Sequence, residues 1–404
     1  MIFVGVDWAE DHHDVCVMAE DGRVLGKRRV ADSVVGIGEL HGLVGEHADD
    51  EPVVVGIEID RGLLVGALLA AGYEVFAINP MAVARYRERH AVSGAKSDPG
   101  DAKVLADLVR TDRHNHRPVA GDSELVEAVK LLARAHQSAI WSRQRQLNAL
   151  RSALREYYPG ALVAFGTDLS SSDALAVLGI APTPELGRGL SRSKIAAALR
   201  RGGRLRNIER RTEEIQAALS AEYLEASPTI TNAYGTLTRS ALKLIASFSE
   251  QIVALEEVLS EHFEQHPDAK VVRSLPGLGT VLGARVLGEF GDDRTRFTGP
   301  QSRKNYAGTS PITKASGRSR IVLARFARNR RIADACDQWA FCSLTSSPGA
   351  RRYYDELRGR GKTHRQALRQ LANRLVGILH ACLENEQLYD EHIAWLTVSP
   401  EIAA

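Results

Sequence analysis

Four carboxylates in the first quarter of the chain have the types and spacing of a metal-dependent phosphodiester site. Asp7 stands at the exit of the apolar run 2–6, in VGVDWAED, and Glu58 ends the run PVVVGI at 52–57. If those runs are neighbouring strands, both acids leave the same edge of a sheet. Asp98 and Asp101 lie three apart in AKSDPGDAKVLADLV, at the start of a helix and so on one face of it. Hard oxygen donors gathered in this way hold two divalent cations, ordinarily Mg2+, for cutting phosphodiesters. Each acid also has a duller account. Asp98-Pro99-Gly100-Asp101 is close to an ideal helix cap, with proline at the first helical position. Asp60 would point to the same face of an extended strand as Glu58. The order and spacing of all four within one fold favour the site.

The elements that must position these acids are legible from period and turn chemistry. Residues 2–6, 15–19 and 23–30 alternate around an Asp21-Gly22 turn and read as a hairpin meander. A helix over 34–44, a strand over 52–57, a helix over 63–71 ended by Gly72 and a strand over 74–78 follow. Three strands, a helix, then strand–helix–strand is the element order of the ribonuclease-H-like fold, and it also opens the actin-like ATPases. The expected class is α/β plus α. It comprises a ribonuclease-H-like domain over 1–120, a helical and coiled-coil middle over 121–265, and a helical C-terminal domain over 266–404. A helix over 122–158 carries Leu125, Val129, Leu132 and Leu154 inward and Arg134, Arg143, Arg145, Arg151 and Arg155 outward. Residues 160–204, broken by glycine and proline, read as a loop-rich insertion, and 205–224 as a second helical stretch. From Ile230 to Leu259 apolar residues step by three and four for about four heptads. That stripe fits a dimer seam and an intramolecular hairpin equally. In SLPGLGTVLGARVLGEFGD (274–292), Gly277 and Gly279 resemble the turn of a helix-hairpin-helix, whose glycines let backbone amides approach a phosphate.

Charge is unevenly spread. The net charge of +2 conceals a block at 301–380 with 17 Lys and Arg against 4 Asp and Glu, while 1–120 holds 13 against 20. A basic block of that size is the footprint of a phosphate-backbone partner. Four scattered cysteines support neither a disulfide framework nor a zinc cluster. The longest apolar stretch, 63–73, is too short to span a bilayer, for which roughly 18 residues are needed. With no signal-like N-terminus, the chain is expected to be a soluble cytoplasmic protein.

The chain resembles the transposases of the insertion-sequence 110 family. The residues that carry the resemblance are Asp7, Glu58, the segment Lys96-Ser97-Asp98-Pro99-Gly100-Asp101-Ala102, and Asn79-Pro80. In the C-terminal third it is carried by Tyr306-Ala307-Gly308-Thr309-Ser310-Pro311 and Ser316-Gly317-Arg318-Ser319-Arg320. Two departures are Ile59-Asp60-Arg61-Gly62, where Thr-Gly is common, and Phe326-Ala327-Arg328-Asn329-Arg330-Arg331 in place of Ala-Gly-Asn-Arg. The resemblance implies a catalytic acidic tetrad of Asp7, Glu58, Asp98 and Asp101 and a nucleophilic Ser316. The residues alone leave Ser302, Ser310, Ser319 and Ser343 equally open. It further implies donor and target DNA as substrates, a non-coding bridge RNA that pairs with them, and a dimer or tetramer. Arg318, Arg320, Arg325 and Arg328 are then expected to clamp phosphates. The arginine face of the 122–158 helix and residues 200–211 are the candidate RNA surfaces.

Three other readings carry different expectations. A structure-selective, junction-resolvase-like nuclease would use the same metals and water, with no covalent intermediate. An actin-like kinase would need glycine-rich phosphate loops and a second such domain. A non-catalytic nucleic-acid-binding protein would leave Asp98 and Asp101 as mere caps.

Overall fold

The computed structural model describes residues 1–48, 51–90, 98–116, 118, 119, 121–166, 168–317, 319–326 and 328–396. It divides into two units, Met1–Gly121 and Asp122–Ala404.

In the first unit, β1 (Ile2–Trp8), β2 (His12–Met18) and β3 (Val24–Ala31) form the expected meander. They are followed by α1 (Val34–Ala48), β4 (Val53–Ile57), α2 (Leu63–Ala70), β5 (Glu74–Ala77), α3 (Pro80–His90) and α4 (Asp98–Asp112). The sheet is mixed, in the order β3-β2-β1-β4-β5, with β1 antiparallel to β2 and parallel to β4. Side chains alternate across a pleated strand, so each strand is sorted into two faces. Ile2, Val4, Val6, Val55 and Ile57 are buried with Leu40 and Val44 of α1 and Leu64 and Leu68 of α2. Phe3, Val54 and Phe76 pack on the opposite face with Leu105, Ala106 and Val109 of α4.

Glycine at two paired positions sets how close α4 comes to the sheet. Gly5 of β1 lies beside Gly56 of β4 in register. A Cβ on Gly5 would stand 1.9 Å from the Ala102 carbonyl oxygen, and one on Gly56 would stand 2.8 Å from the Leu105 carbonyl oxygen. Bare backbone in adjacent strands thus lets the helix lie directly on the sheet, with its acidic first turn near the ends of β1 and β4. Gly5→Val is expected to lower the stability of this unit by roughly 3 kcal/mol, the upper end of overpacking costs. Urea unfolding followed on the N-terminal unit checks this, and an unchanged midpoint would contradict the packing account.

The second unit is built on two long helices, α5 (Glu124–Tyr157) and, further along the chain, Pro228–Gln265. Between them run α6 (Pro159–Phe165), α7 (Ser172–Ile180), α8 (Pro184–Arg188), α9 (Arg192–Arg201) and α10 (Ile208–Ser220), which makes Pro228–Gln265 α11. Then follow α12 (Ala269–Ser274), α13 (Thr280–Phe290), α14 (Pro300–Ala307), the hairpin β6 (Ile312–Ser316) and β7 (Ser319–Leu323), α15 (Arg330–Ser346), α16 (Pro348–Gly359), α17 (His364–Glu384) and α18 (Glu391–Trp395).

α5 and α11 are antiparallel partners. Val126 and Val129 share a core with Leu259 and Phe263, while Leu150, Leu154 and Tyr157 share another with Leu242 and Ile245. The rings of Tyr157 and Tyr234 stack at 5.0 Å. The heptad stripe therefore divides. Ile252 and Leu259 face inward, whereas Leu237 and Leu244 are 59% and 44% exposed, leaving a second apolar row on the outside of α11. One helix pair thus contributes to both cores, and α11 ends at Gln265.

Two expectations are corrected here. The described residues of 160–204 are largely helical rather than loop-rich, and α6, α7, α9 and α10 enclose a core of Ala161, Val177, Ile195, Leu199 and Ile215. Their glycines, prolines and serines are helix punctuation: Pro159 and Pro184 open helices, and Ser171, Thr183 and Ser191 cap them. Arg134 does not lie on an outer face. Its guanidinium donates to Glu289 Oε1 and Oε2 at 2.7 and 2.9 Å, and Asn329 Nδ2 donates to the same carboxylate at 2.6 Å. Burial alone would raise the Glu289 pKa, but these donors hold it below the ordinary carboxylate range.

Candidate active site

The alternation that sorts β1 and β4 decides where their terminal acids go. Asp7 follows Phe3 and Gly5 on the α4 side of the sheet, and Glu58 follows Val54 and Gly56 on the same side. Because Gly5 and Gly56 are in register, Asp7 and Glu58 leave the sheet side by side. Asp98 and Asp101 come from the first turn of α4 above them. All four acids line one cleft of about 420 Å³, together with Trp8, His12, Asp14 and Arg87. Asp60, the rival to Glu58, is absent from that lining.

The electrostatics follow from this crowding. Burial first, and then the charges of Asp101, Glu58, Asp98 and Asp14, push the Asp7 carboxyl up to about 6. Three of the acids have cationic partners, Asp98 the most distant of them, 3.6 Å from Arg29 Nη2. Arg87 Nη2 donates to Asp101 Oδ1 at 2.5 Å, and Arg29 reaches Asp14 through Nε and Nη2 at 3.2 and 2.7 Å. Among the described residues, Asp7 and Glu58 have neither a hydrogen bond nor an ion pair. Five carboxylates facing two guanidiniums leave a strong excess of negative charge, with hard oxygens as the donors. That donor set suits divalent cations of the magnesium type.

Two residues of this cleft escape a reading of the sequence. Ligand atoms of His12, Asp14 and Asp98 all lie within 4.8 Å of one another, a group that could hold a metal ion. Asp14 is cross-strand from Asp7, and His12 shares its side of β2. Among the described residues, His12 Nε2 is buried without a hydrogen-bond partner. The period-two step from His12 to Asp14 is the available signal, and it gains meaning only once the hairpin register is known. Lys96 and Ser97, in the segment before α4, lie outside the described residues.

The serines of the second unit are separated by their surroundings. Ser302 Oγ donates to the Gly299 carbonyl at 2.9 Å, and Ser310 Oγ donates to Asn305 Oδ1 at 2.5 Å. Ser343 is fully buried and donates to the Ala340 carbonyl at 2.8 Å. Ser316 and Ser319 are exposed and face each other across the tip of the β6–β7 hairpin, joined by Gly317 at φ 55°. Arg320 is exposed on β7, Arg325 donates to Asn305 Oδ1 at 3.2 Å, and Arg328 is exposed beyond the hairpin. Arg318 lies outside the described residues.

The glycines of the 274–292 segment have different surroundings. Gly277 has φ 82°, and a Cβ there would stand 2.6 Å from the Ser343 backbone nitrogen, so close packing against α15 requires glycine at that position. Gly279 is exposed at the N-cap of α13, with open space where a Cβ would stand.

Residues 4–159 match a family model described as a transposase, and residues 269–355 match the model of the transposase IS116/IS110/IS902 family. A mini-circle putative transposase for IS117 from Streptomyces coelicolor is 45% identical over 98% of this chain and 96% of its own length. The uncharacterized 43.6 kDa protein of insertion element IS110 from the same species is 30% identical, with 83% of each chain covered. The uncharacterized 42 kDa protein of IS900 from Mycobacterium paratuberculosis is 28% identical over 96% of this chain and 97% of its own. Matches at both ends and a 45% identical relative along nearly the whole length place this chain in the IS116/IS110/IS902 family of transposases.

Proposed function

We propose that this transposase cuts and rejoins DNA through a covalent phosphoserine intermediate, with its N-terminal unit acting as a ribonuclease-H-like, metal-binding nuclease domain. The observation that carries the reading is the gathering of Asp7, Glu58, Asp98 and Asp101 around one cleft whose negative charge is largely uncompensated. The reading divides the chain into a nuclease domain over 1–120, a helical middle over 121–265 and a transposase domain over 266–404 that carries the nucleophile.

Two Mg2+ ions held by the four acids would polarise the scissile phosphate and lower the pKa of an approaching hydroxyl. The chain's own groups do the rest. A serine hydroxyl is a weak nucleophile at neutral pH and needs activation. Ser316 has no basic partner among the described residues. In the reaction its Oγ bonds to phosphorus, the P–O3′ bond breaks, and the departing O3′ takes up the proton. The phosphoester energy is retained, so a 3′-hydroxyl from another strand can reverse the step without ATP. Arg318, Arg320, Arg325 and Arg328 hold flanking phosphates, where bidentate guanidinium contacts fit well. Gly277 and Gly279, with α12 and α13, serve as a helix-hairpin-helix contact to the backbone.

Substrate choice, in this reading, comes from a bridge RNA that pairs with donor and target DNA while the protein grips backbones. The outward apolar row of α11, Leu237, Leu244 and Val258, is available to a second copy in a dimer or tetramer. Among the described residues no helix is long and apolar enough to cross a membrane. The test is a denaturing gel of the protein incubated with end-labelled DNA and Mg2+. A protein-linked label is expected, and cut DNA with no linked protein would favour the resolvase-like alternative.

A further inference from the structure

The second unit contains a cleft that the reaction above does not use in full. It has a volume of about 590 Å³, within the range of small-ligand sites and too small for a double helix. Arg330, near the start of α15, and Arg365 and Arg369, one turn apart on α17, line it together with Arg328. None of these four guanidiniums has a hydrogen bond or ion pair among the described residues. Neighbouring Arg331 contrasts with them. It donates to the Arg134 carbonyl, to Gln137 Oε1 and to Ser138 Oγ, and lies over the Trp141 ring at 5.3 Å.

Two aromatic residues share the cleft. Trp141 is half-buried, and Phe326 is 85% exposed, an unusual exposure for so large an apolar side chain. Four cations gathered in one cleft repel each other, and an anion between them relieves that repulsion. Asp337 is one carboxylate against four, and Asp334 is already engaged by Arg285 at 2.5 Å. The starts of α15 and α17 are capped by Asn329 and Thr363, so the anion would meet side chains rather than free helix amides. Cationic side chains interleaved with exposed aromatic rings are the chemistry that recognises an unstacked nucleotide, phosphate on arginine and base on ring.

We propose that this cleft binds a single unpaired nucleotide of a nucleic-acid strand, its phosphates on Arg330, Arg365 and Arg369 and its base against Phe326. The proposal rests on the reading of the chain as a strand-transfer enzyme, since local unpairing accompanies that reaction. DNA and RNA strands offer the same phosphate and base, and the test separates them.

The full chain is titrated with a single-stranded oligonucleotide carrying 2-aminopurine, in DNA and RNA versions, and with the corresponding duplex. Phe326→Ala is expected to weaken single-strand binding about tenfold and to relieve quenching of the 2-aminopurine. The double variant Arg365→Ala/Arg369→Ala is expected to reduce the slope of log K against log salt by about 1.4. All three side chains are outside the hydrophobic core, and duplex binding is expected to change far less. The strand type that shows the losses is the ligand. Wild-type affinity and salt slope in both variants with both strand types would overturn the proposal, as would equal losses on the duplex. Adduct formation by the wild type, measured in parallel, keeps the two readings apart. An adduct with no variant effect removes the cleft alone, and variant effects with no adduct remove strand transfer alone.

Discussion

Asp7→Asn is expected to abolish strand cleavage and, at the same time, to stabilise the metal-free protein at neutral pH. In the proposed function Asp7 is a cation ligand, and the loss of that ligand carries the first effect. Metal assistance is worth several kcal/mol in the transition state, so the rate should fall on the order of 1,000-fold or more. The second follows from repulsion. With no cation present, burial and the neighbouring Asp101, Glu58, Asp98 and Asp14 push the Asp7 carboxyl up to about 6 in the folded chain. Its value in the unfolded chain is about 3.9. Below both values the group is protonated in either state and contributes nothing. Between about 4 and 6 the unfolded chain releases its proton first, so folding stability falls across that window and stays low above it. Asparagine cannot ionise and escapes the loss. In EDTA at pH 7.5 the variant should therefore melt above the wild type, whereas at pH 3.5 the two should coincide. Adding Mg2+ should raise the wild-type melting temperature, with about 2.7 kcal/mol gained at 100 times Kd. The variant should gain little. A variant that melts lower than wild type in EDTA would contradict the crowding of charge at this site.

Ser316→Ala is expected to remove the covalent protein–DNA species completely, while Ser319→Ala should retain it. The pair is a sharp comparison because both serines are exposed and sit opposite each other at one hairpin tip. Loss of a hydroxyl at either position should leave the fold untouched, since neither contributes to a hydrophobic core. The readout is the labelled band on a denaturing gel, followed by peptide mapping of the phosphorylated residue. An adduct that persists in Ser316→Ala and vanishes in Ser319→Ala would move the nucleophile across the hairpin. Adducts in both variants would discard the serine assignment.

Much of the N-terminal unit is legible from sequence because its strands are β-branched runs in which every second residue faces one layer. Residues 2–6 and 52–57 are uninterrupted apolar runs, so counting along them puts Asp7 and Glu58 at strand exits, and on one face once the strands are neighbours. The choice of Glu58 over Asp60 needs more. It depends on the register that pairs Gly5 with Gly56, and that pairing is a tertiary fact. His12 and Asp14 stay hidden for the same reason, since they approach Asp98 only when β2 folds back on β1 and α4 descends on the sheet. Arg29 and Arg87, the counter-charges of the cleft, come from β3 and α3, and nothing local marks them as partners.

In the second unit the long helices are readable from their apolar period, but their outer faces are not. Arg134 falls on the polar side of α5 considered alone, yet α13 packs there and brings Glu289 to it. The short helices of 159–201 are obscured by their own ends. A helix of five to ten residues spends much of its length on caps, so proline, glycine and serine dominate its composition and imitate a loop. The family resemblance, by contrast, rests on short chemical motifs, and those survive whatever surrounds them.

The most direct measurement is anomalous diffraction at the manganese edge from crystals of the full chain soaked in Mn2+. Two peaks about 4 Å apart, ligated by carboxylate oxygens of Asp7, Glu58, Asp98 and Asp101, are the expected result. Manganese bound only by His12 and Asp14, or no peak in the cleft, would contradict the account.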